Sequence, residues 1–185
     1  VDGESYTIEV GLSAAGGVTF TGGNQTAVLV DTTSPTIAIT STASSTLNAE
    51  QTATITFTLS EASPDFAQGD VEVDGGSLSN FMVTETDTVY TATFTPDADR
   101  STPATISVSN DKFNDAAGNA NASNSLSLTV DTVLPTLTVT SSAQDTLIAG
   151  QTATITFTLS EATSNFTRDD VVVDGGSLSD LTGSG

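Results

Sequence analysis

The chain has 185 residues, with 23 acidic against 3 basic side chains, a formal net charge of −20, and no Cys, His or Trp. Without Cys or His, the usual zinc, iron–sulfur and haem ligand sets are excluded, as are the Ser-His-Asp and Cys-His catalytic arrangements. Such an acidic chain repels nucleic acid, whose phosphates need clustered Lys and Arg, and it has no apolar run of about 18 residues that could span a membrane as a helix. No charged-then-apolar leader opens the sequence; if the protein is exported, its signal is expected to lie outside it.

In chain order, the first 30 residues carry the alternating segment Tyr6-Thr-Ile-Glu-Val10 and close on Val30-Asp31-Thr32. Strands are then predicted over 36–41, with Ile37 and Ile39 on one face, and over 51–59. In the second of these, Ala53, Ile55, Phe57 and Leu59 share a face and four Thr line the other. Further strands follow over 70–74 (Val71, Val73), 77–84, 88–95 (Tyr90, Ala92, Phe94), 103–109 (Ile106, Val108) and 124–130 (Leu126, Leu128, Val130). Turn-formers separate them: Gly75-Gly76, Pro96-Asp97, Asn110-Asp111 and Gly118-Asn119. No apolar period of 3.6 residues is long enough for a helix. Short strands at this spacing predict an all-β fold of immunoglobulin-like antiparallel sandwiches without disulfides, lacking the Cys pair and core Trp of antibody domains. The core is expected to be light in aromatics.

The sequence repeats. Gln51–Ala62 recurs unchanged as Gln151–Ala162, Asp74–Ser79 as Asp174–Ser179, and Asp31-Thr-x-x-Pro-Thr36 as Asp131 to Thr136. Residues 31–81 laid over 131–181 match at 32 of 51 positions without a gap, a period of 100 residues. Residues 31–130 therefore form a complete repeat, 131–185 the first half of a following one, and 1–30 the last part of a preceding one. Two registers suit 1–30: Tyr6–Val10 over Tyr90–Phe94, which needs no missing strand, or over Ala104–Val108.

The Asp-Thr-x-x-Pro-Thr opening, the Gln51–Glu61 strand, the Asp115-Ala-Ala-Gly-Asn119 loop and the Leu128-Thr-Val-Asp131 close resemble the bacterial Ig-like repeats of giant surface adhesins and biofilm-associated proteins. The resemblance covers 31–130 and 131–181, and 1–30 more weakly. It implies a rod of tandem domains exported to the bacterial cell surface or beyond, often with calcium at the joints.

The carboxylates reach a similar expectation by themselves. In an immunoglobulin-like sandwich, Asp31, Glu61, Asp65, Asp70, Asp111 and Asp115 fall at one pole, and Asp97, Asp99 and the exit at Asp131 fall at the other. Where repeats stack, Asp131 is then expected among Asp97 and Asp99 from one side and Glu161, Asp169 and Asp170 from the next. Arg100, Lys112 and Arg168 cannot balance so much like charge. Calcium, which takes six to eight oxygens, can, although no continuous EF-hand loop is present. The predicted ligands are Asp31, Glu61, Asp97, Asp99, Asp111, Asp115, Asp131, Glu161 and Asp170.

The functional expectation is an extracellular structural repeat, stiffened by calcium, in an adhesin stalk or surface filament. Its expected partners are neighbouring repeats and, in a filament, further copies of the same chain. Two other readings stand beside it: a filament subunit joined head to tail by completing a split Ig-like domain, and a carbohydrate-binding module. Catalysis is not expected, because the carboxylates sit on polar loops rather than converging across a cleft as in a glycosidase. The Asn-x-Ser/Thr sites at Asn24, Asn121 and Asn165 are read as chance matches.

Overall fold

The computed structural model describes residues 31–85 and 87–183; the closing part-repeat expected at 1–30 lies outside the described residues. The chain divides into two units, with the boundary after Thr132.

The first unit places β1 (Ile37–Ser41), β2 (Ala53–Leu59), β3 (Val71–Asp74), β4 (Gly76–Glu85), β5 (Val89–Pro96), β6 (Ala104–Val108) and β7 (Asn124–Leu128) within a residue or two of their predicted spans. One sheet has the order β1-β2-β5-β4 and the other β3-β6-β7, with every pairing antiparallel. This is the four-plus-three arrangement of a constant-type immunoglobulin sandwich. A short 3-10 turn, Gln68–Asp70, leads into β3, and the Asp70 carboxylate caps it by accepting from the Ala67 amide at 2.8 Å.

Alternation sets both faces. Ala53, Ile55, Phe57 and Leu59 are all buried, whereas Thr52, Thr54 and Thr58 face solvent. Register then stacks the inward residues of β2 on those of β5, with Ile55 opposite Ala92 and Phe57 opposite Tyr90. Ile106 and Val108 from the second sheet close the core.

The core is richer in aromatics than strand alternation suggests. Phe66, on the connection after β2, touches four other rings (Phe57, Phe81, Tyr90 and Phe113) at centroid separations of 5.0 to 5.9 Å. Phe66 and Phe113 come from loops, where a period-two reading has nothing to register. Large rings in edge-to-face contact supply burial that a disulfide-free sandwich must otherwise find in its strands.

At the exit pole the Arg100 guanidinium donates to Asp74 and to the Pro103 carbonyl, both at 2.7 Å. It lies so close over Gly75, whose φ is +81°, that a Cβ there would collide with it. Thr132 is buried and ties the exit to this pole: its amide donates to the Arg100 carbonyl at 2.7 Å and its hydroxyl to the Asp97 carbonyl at 2.7 Å.

The second unit holds β8 (Leu137–Ser141) paired with β9 (Ile155–Leu159) in the register that β1 keeps with β2, and a 3-10 turn at Arg168–Asp170. The counterpart of β3 near Val171 is not a strand. In the complete repeat β3 pairs only with β6, and residues 131–183 contain no counterpart of β6.

Phe66→Ala should lower the stability of the first unit by about 3–5 kcal/mol, the usual cost of emptying a buried aromatic site. Thr56→Ala, on the outer face of β2, should stay within about 0.5 kcal/mol of the parent. Urea denaturation monitored by circular dichroism would show the difference; equal midpoints would contradict the placement of Phe66 at the centre of the ring cluster.

Candidate metal centre

Three segments converge at the pole where the chain enters the first unit. Just before β1, the linker presents Asp31. The end of β2 presents Glu61, one residue after Ser60, which pairs with Thr36 across the sheet through Ser60 N–H to Thr36 O at 2.9 Å. The β6–β7 connection presents Asp115. One carboxylate oxygen from each of Asp31, Glu61 and Asp115 lies within 4.8 Å of the other two.

The loop carrying Asp115 is built to hold an ionised carboxylate. Asp115 is only 3 % exposed. One of its oxygens accepts from the amides of Ala117 and Asn119, each at 2.8 Å, and the other accepts from the Asn119 side chain at 2.8 Å. Gly118, at a φ of +93°, makes the turn that brings those donors round. A carboxylate oxygen offers two lone pairs, so Asp115 keeps one acceptor site open after these bonds. The same Asn119 amide group donates to the Asp31 carbonyl at 3.2 Å, which fastens the linker to the loop.

The electrostatics differ between members. Desolvation pushes the Asp115 carboxyl upward, but the hydrogen bonds from Asn119, Ala117 and Gly118 outweigh it and hold the acid below its ordinary range. Glu61 is raised, first by desolvation and then by the negative charges of Asp115 and Asp31. Like charges gathered at this separation make Glu61 the harder of the two to ionise without a cation.

The other predicted ligands have different surroundings. Asp111 is exposed in a turn at φ +59°, its amide donating to the Asn121 carbonyl at 3.3 Å. Asp65, predicted at the same pole, is occupied instead as a bridge: its carboxylate accepts from the Asn114 amide at 2.9 Å, the Asn114 side chain at 3.1 Å and the Ser63 hydroxyl at 2.8 Å. Backbone and side-chain bonds from Asn114 and Ser63 lower its pKa against the pull of desolvation. Asp97 and Asp99 are exposed at the exit pole, the latter at φ +53°, and the Asp131 amide donates to the Leu47 carbonyl at 2.9 Å. In the second unit Asp170 caps its 3-10 turn, accepting from the Thr167 amide at 2.8 Å, and Glu161 is exposed.

Two side chains central to this pole were not picked out as functional from sequence. Asn119 was visible only as a turn-former, yet it holds both Asp115 and Asp31. Asn121 is 3 % exposed and spends both ends of its amide on backbone groups, accepting from Lys112 and Phe113 and donating to Ser109 and Ala122. An amide so buried and so engaged is not presented for glycosylation. The described surface also holds a shallow depression of about 200 Å³ between Thr42–Leu47 and Gln51–Thr52. That is small beside ordinary ligand pockets of about 300–1,000 Å³.

A pH experiment separates these roles. The folded pKa of Glu61 lies above its ordinary value of 4.5, so between the two the folded chain binds more protons than the unfolded one, and this group's contribution falls as pH rises through that window. In chelator at neutral pH, Glu61→Gln should therefore raise the melting temperature of the first unit. Asp115 has the opposite sign: its folded pKa is lowered, so its stabilisation is present above 3.8 and is lost on acidification below that. A lower melting temperature for Glu61→Gln in chelator would show that the three charges do not repel one another as described.

A family model for the bacterial Ig-like domain matches residues 31–130 and again 131–185. No curated protein and no solved structure matches the chain. Domains of this family are typically non-catalytic structural modules, commonly of extracellular or surface proteins. By the two matches, and by its all-β sandwich, the chain belongs to the bacterial Ig-like domain family.

Proposed function

We propose that this chain is a length of an extracellular rod, of the kind that forms an adhesin stalk or surface filament, and that calcium bound at the entrance pole of a repeat stiffens its linker. The observation that carries the reading is the convergence of Asp31, Glu61 and Asp115. Calcium prefers all-oxygen sites of six to eight ligands, and three carboxylates with neighbouring carbonyls and waters are a donor set of that character. The three acids come from different places in the chain: one from the linker, one from the end of β2 and one from the β6–β7 loop.

That origin gives the mechanical consequence. Without a cation, the repulsion of Asp31 by the two acids fixed on the sandwich works against the Asn119–Asp31 bond that holds the Asp-Thr-Thr-Ser-Pro linker. With calcium, the same residue is drawn onto the pole and the linker takes its direction from the domain. In the following repeat Asp131 and Glu161 stand where Asp31 and Glu61 stand in this one.

Two measurements on the 185-residue chain test this. Calcium at about a hundred times its dissociation constant should stabilise the first unit by about 2.7 kcal/mol, raising its melting temperature by on the order of 10 °C relative to chelator. Amide relaxation should show residues 31–34 moving from flexible to rigid order parameters on calcium addition. An unchanged melting temperature together with unchanged relaxation at 31–34 would refute the proposal.

A further inference from the structure

The chain leaves the first unit through a segment that is fastened well beyond the end of β7. The Leu47 amide donates to the Thr129 carbonyl at 3.0 Å and the Asp131 amide to the Leu47 carbonyl at 2.9 Å, on either side of the parallel bridge between Leu47 and Val130. Both of those side chains are buried in the core. One residue on, the buried Thr132 is held to the β5–β6 connection by its backbone and its hydroxyl together. Its amide donates to the Arg100 carbonyl at 2.7 Å, its hydroxyl donates to the Asp97 carbonyl at 2.7 Å, and the Arg100 amide donates to the hydroxyl oxygen at 2.9 Å. That connection is itself braced, because the Arg100 guanidinium donates to Asp74 at 2.7 Å and to the Thr102 and Pro103 carbonyls at 2.9 and 2.7 Å.

Topology decides how this fastening is loaded. At the entrance, the Pro35 carbonyl accepts from the Ala122 amide at 3.0 Å and the Ile37 carbonyl from the Asn124 side chain at 2.6 Å, so the chain comes in beside the start of β7. Leu47 lies beside the far end of that strand. Residues 37–47 and 124–130 therefore run the same way. Tension that draws the two ends of the repeat apart pulls these segments in opposite senses along their length, and the bonds between them are sheared together instead of being opened one at a time. We propose that Thr129–Thr132 is a force-bearing latch and that the Thr132 hydroxyl is its catch: the repeat resists extension until Thr132 releases the Asp97–Arg100 connection. The proposal takes from the rod reading only the direction of the load. Its bonds are made by amides, carbonyls and one hydroxyl, so calcium has no part in it.

The whole chain has no Cys, so paired cysteines can place pulling handles where the load is wanted. Ser34→Cys with Leu134→Cys, both at exposed positions, draws on the first unit through Thr132. Ser34→Cys with Ser127→Cys, exposed on β7, draws on it ahead of the latch. Unfolding rates under constant force are compared in chelator, with the melt of the first unit as the control for folding. Through 34 and 134, Thr132→Val, which keeps the shape and loses the hydroxyl, should unfold about thirtyfold faster than the parent, the rate equivalent of two ordinary hydrogen bonds. Thr132→Ser, which keeps the hydroxyl, should stay close to the parent. Through 34 and 127, Thr132→Val should also stay close to the parent. A Thr132→Val chain that withstands the 34–134 pull as the parent does overturns the proposal. So does equal acceleration in the two geometries, or a Thr132→Ser chain as weak as Thr132→Val. Because no calcium is present, the outcome is independent of whether Asp31, Glu61 and Asp115 bind it.

Discussion

Three negative charges held within a few ångströms of one another set the character of this molecule. Asp115 is buried and kept ionised by its own loop, so it cannot relieve the crowding by taking a proton at ordinary pH. Glu61 bears the strain instead, and Asp31 stands on the linker, its carbonyl accepting from Asn119. On the proposed reading, a divalent ion held among the three would turn that crowding into a direction for the linker. The sandwich beneath matters because it holds two of the three acids rigidly at one pole.

That rigidity comes from ordinary sources. Edge-to-face rings around Phe66 lock the connection after β2 against the β6–β7 side through Phe113, and Asp65 bridges to Asn114 just before Asp115. The loop bearing one carboxylate is thereby fixed to the loop bearing another. Asn119 completes the assembly by holding Asp115 and the linker carbonyl at once. No disulfide is present in the chain, and none is needed for this local order.

Much of the fold was legible because β-strands write themselves as alternation. Ala53, Ile55, Phe57 and Leu59 announce a buried face without ambiguity, and the hundred-residue period gives the unit its length. The pole was legible in part, since immunoglobulin topology brings Asp31, Glu61 and Asp115 to one end once the strands are numbered. What sequence could not supply was selection among the acids. Asp65, Asp70 and Asp111 share that region on paper, but local hydrogen bonds make the first a loop bridge and the second a turn cap, and the third is a left-handed turn residue. The aromatic centre was missed for a related reason: Phe66 and Phe113 lie in loops, where no period marks a residue as buried.

The most direct test of the account is calorimetric titration of the chain with calcium near neutral pH, beside the same titration of Glu61→Gln. The account predicts saturable binding to the parent by one site in the complete repeat, weakened at least about tenfold in the variant, a loss of about 1.4 kcal/mol. Binding of equal strength in both, or no saturable heat in the parent, would contradict the claim that these three carboxylates converge for a cation.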